Sequence, residues 1–486
     1  MATKNTTKTH SNEINLNLLI IVTLAAYVFL VLCFYWLAGE QLRLRESRGN
    51  LSLPVTDAGA LELAQDTVVE QNFHTTIQRL ERVGVQWGTY YRANSGTVAM
   101  ELLRQSDGEM LAREEFDASA ISEGQVLTMA VPGAVEPADG VGFTLRLRAD
   151  SPSGAAAAAM LHSQAAGEGF TLQVNGEAVP GMLCFTAEGK DYIWTGLHYR
   201  ELSITLGAVL ALLLLTVWAR YHNGRRSYVV NALIALKKYR FLMRQLVGRD
   251  FKTKYKRSVL GMFWSFLNPL LMMTVQYFMF STIFRSDIPY FAAYLISGTV
   301  MFNFFSEACG MTLSAILGNA GLITKVYMPK YIYPITRTMS SVINLVISLI
   351  PLIAVCIASG VHIQKSVILS LFFFMCLILF SFGMGMLLCT SMVFFRDTQF
   401  LWGVLSMMWM YVTPLFYPES ILPDNFKVVL RLNPLYHFLK NARLCILNGI
   451  SPEPFAYFQC LMIALGMVLA GAFVFCRNQD KFVLYI

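Results

Sequence analysis

Apolar positions in this chain come in long runs, with few of the interruptions a soluble core shows. Stretches free of Lys, Arg, Asp and Glu cover residues 14–39, 202–219, 258–284, 288–306, 338–364, 366–395, 398–418 and 454–476. A helix needs about 20 residues to cross a hydrocarbon layer of about 30 Å, so the pattern predicts eight spanning helices. The first run exceeds the apolar core of a removable signal, and Ala38-Gly39-Glu40 is a poor cleavage site, which predicts a signal anchor. Between the first two runs the pattern changes to a period of two, at 66–75, 82–91, 96–104, 142–149 and 170–175. Asp107-Gly108 and Asn175-Gly176 are hairpin dipeptides between such segments, and together they predict a β-sandwich. The Ala155–Ala159 stretch, with its Gly and Pro neighbours, is expected as loop or edge strand. After the second run, Leu236, Tyr239, Leu242, Met243, Leu246 and Val247 recur at three- and four-residue spacing within 231–256. That spacing predicts one amphipathic helix with a basic opposite face, lying in a membrane interface.

Composition and charge orient this arrangement. The 486 residues are 55% hydrophobic and only 14% charged, against about 25% charged in soluble domains, which excludes an ordinary soluble protein. The net charge of +7 hides two opposite blocks. Residues 40–199 hold 11 Lys/Arg and 21 Asp/Glu, and residues 220–257 hold 12 Lys/Arg and the single Asp250. Lys and Arg near membrane ends stay on the cytoplasmic side. The basic block is therefore expected inside, the acidic block outside and both termini cytoplasmic. The nine cysteines form neither a disulfide framework nor a zinc spacing. The clustered cations Arg249, Lys252, Lys254, Lys256 and Arg257 are candidates for a phosphate-bearing lipid headgroup, although a basic juxtamembrane stretch also serves as a plain anchor.

Four runs in order carry a family resemblance: RDFKTKYKRSVLGMFWSFLNPLLMM (249–273), GNAGLITKVYMPKYIYPI (318–335), MVFFRDTQFLWGVLSMMWMYVTPLFYPESILP (392–423) and RLNPLYHFLKNARLCILNG (431–449). The chain from about 231 onward resembles the membrane-spanning subunit of ABC transporters that export polysaccharides, O-antigen or teichoic acid. The resemblance implies a homodimer around a channel, in the plasma membrane of a bacterium, docking two copies of a separate ATPase that binds ATP and Mg. It implies a polyprenyl-linked polysaccharide as substrate, membrane lipids as partners, no nucleic acid and no cofactor in this chain. No G-x-x-x-x-G-K-[ST] phosphate loop occurs here. The resemblance further assigns ATPase coupling to Asn319, Gly321, Lys325, Pro329 and Lys330, with Asn319 and Gly321 breaking the preceding helix. It places paired re-entrant helices at about 418–449, where Pro414, Pro418, Pro423 and Pro434 interrupt the chain. Arg396-Asp397 is a candidate gating loop or a structural ion pair.

The expected whole is a mainly α-helical polytopic membrane protein of about eight transmembrane helices plus re-entrant helices, carrying an extracytoplasmic jelly-roll-like β-sandwich. Its parts are a cytoplasmic N-terminus (1–15), a first helix (16–38), the outer domain (40–199), a second helix (201–219), the basic interface helix (220–257) and a six-helix permease (258–486). Trp264, Tyr277, Phe302, Phe305, Trp402, Trp409 and Tyr411 are candidate channel-lining rings, unless they face lipid as interfacial aromatics do. Glu307 joins them because an intramembrane carboxylate seldom faces lipid. In the outer domain, the stretch 83–103 weakly resembles carbohydrate-binding jelly rolls. Trp87, Tyr90, Tyr91, Arg92 and Asn94 are candidate sugar contacts there, or else core rings. Two other function classes stay open, a membrane-bound glycan-processing enzyme and a glycan sensor. The enzyme would need grouped titratable residues, and beyond Ser258 only seven scattered acidic side chains occur.

Overall fold

The computed structural model describes residues 15–485 apart from 52, 53, 55, 165, 166, 168, 224–227, 255, 257, 285–287, 326 and 327. Arg257 and the expected cytoplasmic segment 1–14 lie outside the described residues. The chain divides into two compact units, Met1–Leu42 with His198–Ile486, and Arg43–Leu197.

The Arg43–Leu197 unit contains thirteen strands among its described residues. They are β1 (Leu44–Ser47), β2 (Ala60–Glu62), β3 (Val68–His74), β4 (Arg79–Gly88), β5 (Thr97–Arg104), β6 (Met110–Asp117), β7 (Val126–Val135), β8 (Gly142–Ala149), β9 (Ala158–His162), β10 (Thr171–Val174), β11 (Glu177–Val179), β12 (Met182–Leu183) and β13 (Phe185–Tyr192). One sheet runs β1-β13-β4-β9-β12, with β2 on β9 and β7 on β4; the other runs β11-β10-β3-β8-β5-β6. Every strand pairing is antiparallel. Alternate residues point inward, as with Val69, Gln71 and Phe73 of β3. Phe73 meets Phe185 of the facing sheet with centroids 5.0 Å apart. Asn175 and Gly176 both have positive φ, 52° and 84°, the geometry of a tight two-residue hairpin, and they join β10 to β11. Asp107-Gly108 joins β5 to β6 in the same antiparallel manner. The Ala155–Ala159 stretch differs from its expected edge role. β9 pairs with β2, β4 and β12, and Ala156–Ala159 are fully buried, because methyl side chains let the sheets close where larger ones would hold them apart.

The other unit contains twelve helices of nine or more residues among its described residues. They are α1 (Leu16–Ala38), α2 (Tyr199–His222), α3 (Tyr228–Lys238), α4 (Arg240–Lys254), α5 (Phe263–Phe284), α6 (Phe291–Leu313), α7 (Ile332–Ala358), α8 (Ser370–Phe394), α9 (Thr398–Val412), α10 (Asp424–Leu432), α11 (Pro434–Leu447) and α12 (Pro454–Asn478). Among the described residues, five helical stretches are long and apolar enough to cross a membrane, containing α1, α2, α7, α8 and α12. A sixth candidate is α6 with Leu317–Ile323, bent by 55° at the break between them. The run at 398–418 gives only the 15 residues of α9, about 22 Å at 1.5 Å per residue, because Thr413 turns extended ahead of Pro414. The break after α6 also falls earlier than expected, at 314–316, so Asn319 and Gly321 follow the bend and do not cause it. α8 and α12 cross where Gly383 faces Gly471; a methyl on Gly383 would lie 2.5 Å from the Met467 backbone. Small residues at such crossings let helix backbones touch. Prolines 418, 423 and 434 stand at helix starts, where a missing N–H costs nothing.

Candidate substrate groove and coupling junction

The expected single basic helix is two helices, α3 and α4, parted at Tyr239. Its apolar face does not lie bare. Leu246 is buried, and Tyr239, Leu242 and Met243 pack against a cluster that includes Ile332, Tyr333, Phe475 and Phe482. The opposite side opens into a shallow groove of about 670 Å³ lined by Phe241, Arg244, Gln245, Gly248, Arg249, Lys252, Thr253 and Lys256. Within α4, residues 241-245-249-253 and 244-248-252 recur every four positions and share one helix face, and Lys256, just past its end, completes the lining. Gly248 sits mid-row with open space where a Cβ would stand. Phe241 is 70% exposed, so the groove offers an apolar ring beside cations, the chemistry of an amphiphile with an anionic head. Arg244, Phe241 and Gly248 were not among the sequence candidates, although Arg244 and Gly248 stand at four-residue spacing from Lys252, and Phe241 at twice that spacing from Arg249.

The five cations proposed for a headgroup part company. Lys252 and Lys256 line the groove, whereas Lys254 reaches Glu307 of α6 at 2.9 Å. Glu307 also accepts from Asn344 Nδ2 of α7 at 2.5 Å, and Asn344 Oδ1 accepts from Ser265 Oγ of α5 at 3.2 Å. Glu307 is thus the centre of a polar chain through four helices, and its carboxylate is already paired. Arg249 lines the groove but is held from behind: its Nε and Nη2 donate to Asp250 Oδ1 at 3.2 and 3.0 Å. The same Nη2 donates to Asn319 Oδ1 at 3.0 Å. Asn319 is buried, and its Nδ2 donates to Ala315 O at 2.8 Å.

Of the coupling residues, Gly321 and Lys325 are exposed and Pro329 is half-buried. Lys330 Nζ donates to Gln479 O and lies 6.0 Å from the Phe482 ring centre, which ties it to the end of α12. Arg396 and Asp397 are exposed in the joint between α8 and α9.

Past α9 the chain is locked by a residue the sequence reading missed, Arg443 of α11. Its Nη1 donates to Pro414 O at 2.7 Å, its Nη2 to Tyr294 O and Leu415 O at 2.9 Å each, and its Nε to Ser297 Oγ at 3.2 Å. The guanidinium stacks 3.5 Å from the Tyr294 ring centre. Gly298 makes room for it, since a Cβ there would lie 2.6 Å from Nη2. The channel-lining candidates need correction. Phe302, Phe305 and Trp402 are buried within the helical core, so their rings offer no surface to a channel. Trp409 packs partly against that core and donates to Asn433 Oδ1 at 2.8 Å. Trp264, Tyr277 and Tyr411 are exposed.

In the strand-built unit the sugar-contact candidates also divide. Trp87 is fully buried because β4 sends alternate side chains inward, and Asn94, in the loop beyond β4, is nearly so; neither presents a face to a ligand. Tyr91 is 90% exposed and Tyr90 half-exposed, both at positive φ, 53° and 51°. Glu123 Oε2 holds this loop, accepting from Thr89 N at 2.6 Å and Thr89 Oγ1 at 2.7 Å. Those Thr89 bonds, with weaker ones from the Tyr91 and Tyr90 amides, keep the Glu123 carboxyl below the usual carboxylate range. Arg92 packs 5.1 Å from the Tyr90 ring centre and bonds Glu62. Burial raises the Glu62 carboxyl, but bonds from Gly154 N, Arg92 and Ala156 N bring it below its ordinary value.

Comparison with known proteins fits this geometry. Residues 242–447 match the family described as ABC-2 type transporter. The O-antigen export system permease protein RfbA of Klebsiella pneumoniae is 27% identical over 240 residues, 49% of this chain and 92% of its own length. The protein of that name in Myxococcus xanthus is 28% identical over 249 residues, 51% and 96%. The polysialic acid transport protein KpsM of Escherichia coli is 22% identical over 229 residues, 46% and 89%. Each relative is named for transport and none for an enzymatic reaction. Residues 242–447, within the helical part of this chain, are thus similar to ABC-2 type transporters, among them proteins named as O-antigen and capsule polysaccharide export permeases.

Proposed function

We propose that this chain is the transmembrane subunit of an exporter that carries a lipid-linked polysaccharide across the inner membrane, driven by a separate ATPase subunit. The groove on α4 carries the reading: Phe241 beside Arg244, Lys252 and Lys256 suits a lipid tail next to a phosphate or pyrophosphate head. The break after α6 and the segment Leu317–Ile323 receive the ATPase stroke, as the resemblance of 318–335 implies. Two copies surround the pathway, with the basic block and both termini on the cytoplasmic side by the charge asymmetry. The strand-built unit stands outside, and its Tyr90-Tyr91-Arg92 loop contacts the emerging glycan through exposed rings on a fixed backbone.

The test is binding of inorganic pyrophosphate to the detergent-solubilised full chain, followed by purification with whatever ATPase accompanies it in its own host. At about 1 kcal/mol per cation near an anionic site, Lys252→Gln with Lys256→Gln should weaken binding roughly 30-fold. Gly248→Leu should block the groove while leaving every charge in place. Unchanged affinity in both variants would return the cations to plain membrane anchoring, and a preparation with no ATPase would remove the energy source.

A further inference from the structure

The groove reading leaves Arg249 unexplained, and the following inference rests on that reading. Among the described groove residues, Arg249 is the cation held by a protein carboxylate, and that carboxylate is poorly satisfied. Asp250 Oδ1 receives both bonds from Arg249. Asp250 Oδ2 has Arg337 Nη1 at 3.2 Å, yet no hydrogen bond is directed at it, and Arg337 Nε likewise has no acceptor; both atoms are sealed from solvent. Tyr333 Oη, near enough to Arg249 to feel its charge, is a third buried polar atom without a partner. Buried polar groups are nearly always bonded, so three orphans at one junction mark an arrangement with an alternative. A modest turn of the Asp250 carboxylate toward Arg337 would satisfy Oδ2 and Nε together and release Arg249 into the groove.

The junction also touches the segment after α6. Arg249 is bonded to Asn319, and Arg337 Nη2 lies 3.5 Å from where a Cβ on Gly318 would stand. Any shift of Leu317–Asn319 therefore moves Asn319 and Gly318 against the two arginines at once. We propose that Asp250 exchanges between Arg249 and Arg337 as this segment moves, so that the segment decides whether Arg249 is available to an anionic headgroup. Asp250 and Arg337 are then positioning residues, acting on the ligand through Arg249. The device has two discrete states of one packed polar cluster, the form in which small shifts are transmitted.

The test reads Arg249 itself, without a ligand. The full chain in detergent is treated with phenylglyoxal, which modifies accessible guanidinium groups, and labelling of Arg249 is followed by peptide mass spectrometry. Arg337→Gln removes the alternative partner and should slow Arg249 labelling several-fold; Asp250→Asn should speed it several-fold. Rates equal to the unaltered chain in both variants would overturn the exchange. Should Asp250→Asn fail to fold, Arg337→Gln decides alone, since slower labelling requires that Arg249 normally spends time released. Pyrophosphate binding separates this proposal from the groove. Weaker binding in Lys252→Gln with Lys256→Gln, but no gain in Asp250→Asn and no loss in Arg337→Gln, would sink the switch and leave the groove standing. Unchanged binding in the lysine variant would sink the groove, and the labelling rates would still judge the exchange.

Discussion

The guanidinium of Arg443 shows how one residue fixes a stretch of backbone that has no helix to satisfy it. Pro414 and Leu415 lie between α9 and the short turn Glu419–Ile421, and their carbonyls accept from Arg443. A buried acceptor left unpaired costs about 1–3 kcal/mol, so Arg443→Met, which strands several, should lower stability by at least ~3 kcal/mol. Ser297→Ala removes one weak bond and should cost ~1 kcal/mol or less; thermal melting of the solubilised chain compares them. Glu123 gives a prediction in pH. Its folded pKa is depressed by the Thr89 bonds, so its contribution is fully present above the unfolded value, about 4.3, and is lost as pH falls through the lower folded value. Hydrogen-exchange protection of the Thr89, Tyr90 and Tyr91 amides should therefore collapse below about pH 4. In Glu123→Gln it should be low at every pH; a profile identical to the unaltered chain would remove Glu123 as the anchor. At this scale the sequence told residue types more than it told directions. Trp87 and Tyr91 stand four apart in the same aromatic stretch, yet one is core and the other solvent, because β4 ends between them and alternation stops there.

Helices and strands were legible where the local pattern decides them and illegible where distant contacts do. Asn175-Gly176 specified its hairpin outright, since few other residues tolerate positive φ in succession. Charge-free runs located the helical segments but not their lengths, because apolarity marks where lipid or core lies and says little about where the hydrogen-bond ladder stops. Run 398–418 therefore yielded the short α9, and run 288–306 the longer α6, whose continuation bends by 55° at the break beyond it. The basic segment was the least legible: its apolar face, expected at a membrane interface, packs on Tyr333, Phe475 and Phe482, and its Lys254 is engaged by Glu307. Periodicity shows that a face is apolar, not what covers it. The α8–α12 crossing supplies the element-scale prediction. A side chain on Gly471 runs into the Gly383 backbone, and one on Gly383 meets Met467, so neither helix can yield without separating. Gly471→Leu should cost more than 3 kcal/mol, at the upper end of overpacking, and reduce the yield of folded chain. Gly466→Leu, with open space at its Cβ, should be tolerated, and size-exclusion profiles of the two variants decide the point.

The family match falls at residues 242–447, and the relatives, covered at nearly their full length, account for about half of this chain. The link between the two compact units is α1 and α2, which leave the helical unit at Leu42 and return at His198. Almost no side chain of either helix is buried, so their attachment depends on a few directed contacts. Tyr27 Oη donates to Ser203 O at 2.6 Å, holding α1 to α2. Phe34 meets Tyr457 with centroids 4.8 Å apart, and Lys365 lies 4.5 Å from the Trp36 ring centre. Gln41 bridges the loop before α12, accepting from Ser451 N at 2.7 Å. The Phe34, Trp36 and Gln41 contacts gather at and just past one end of α1, whereas Tyr27 holds its middle to α2. A chain reduced to residues 228–486 should therefore still insert and still bind pyrophosphate in the α4 groove with affinity within about threefold, a difference under 1 kcal/mol. It should melt lower, because Tyr457, buried at 8% exposure in the full chain, would lose the Phe34 ring that covers it. Phe34→Ala in the full chain should reproduce part of that loss, as burying an aromatic ring contributes about 1.5–3 kcal/mol. A truncated chain that fails to insert, or a Phe34→Ala chain as stable as the parent, would mean that α1 and α2 are integral to the domain and that the leading half cannot be understood as an addition to it.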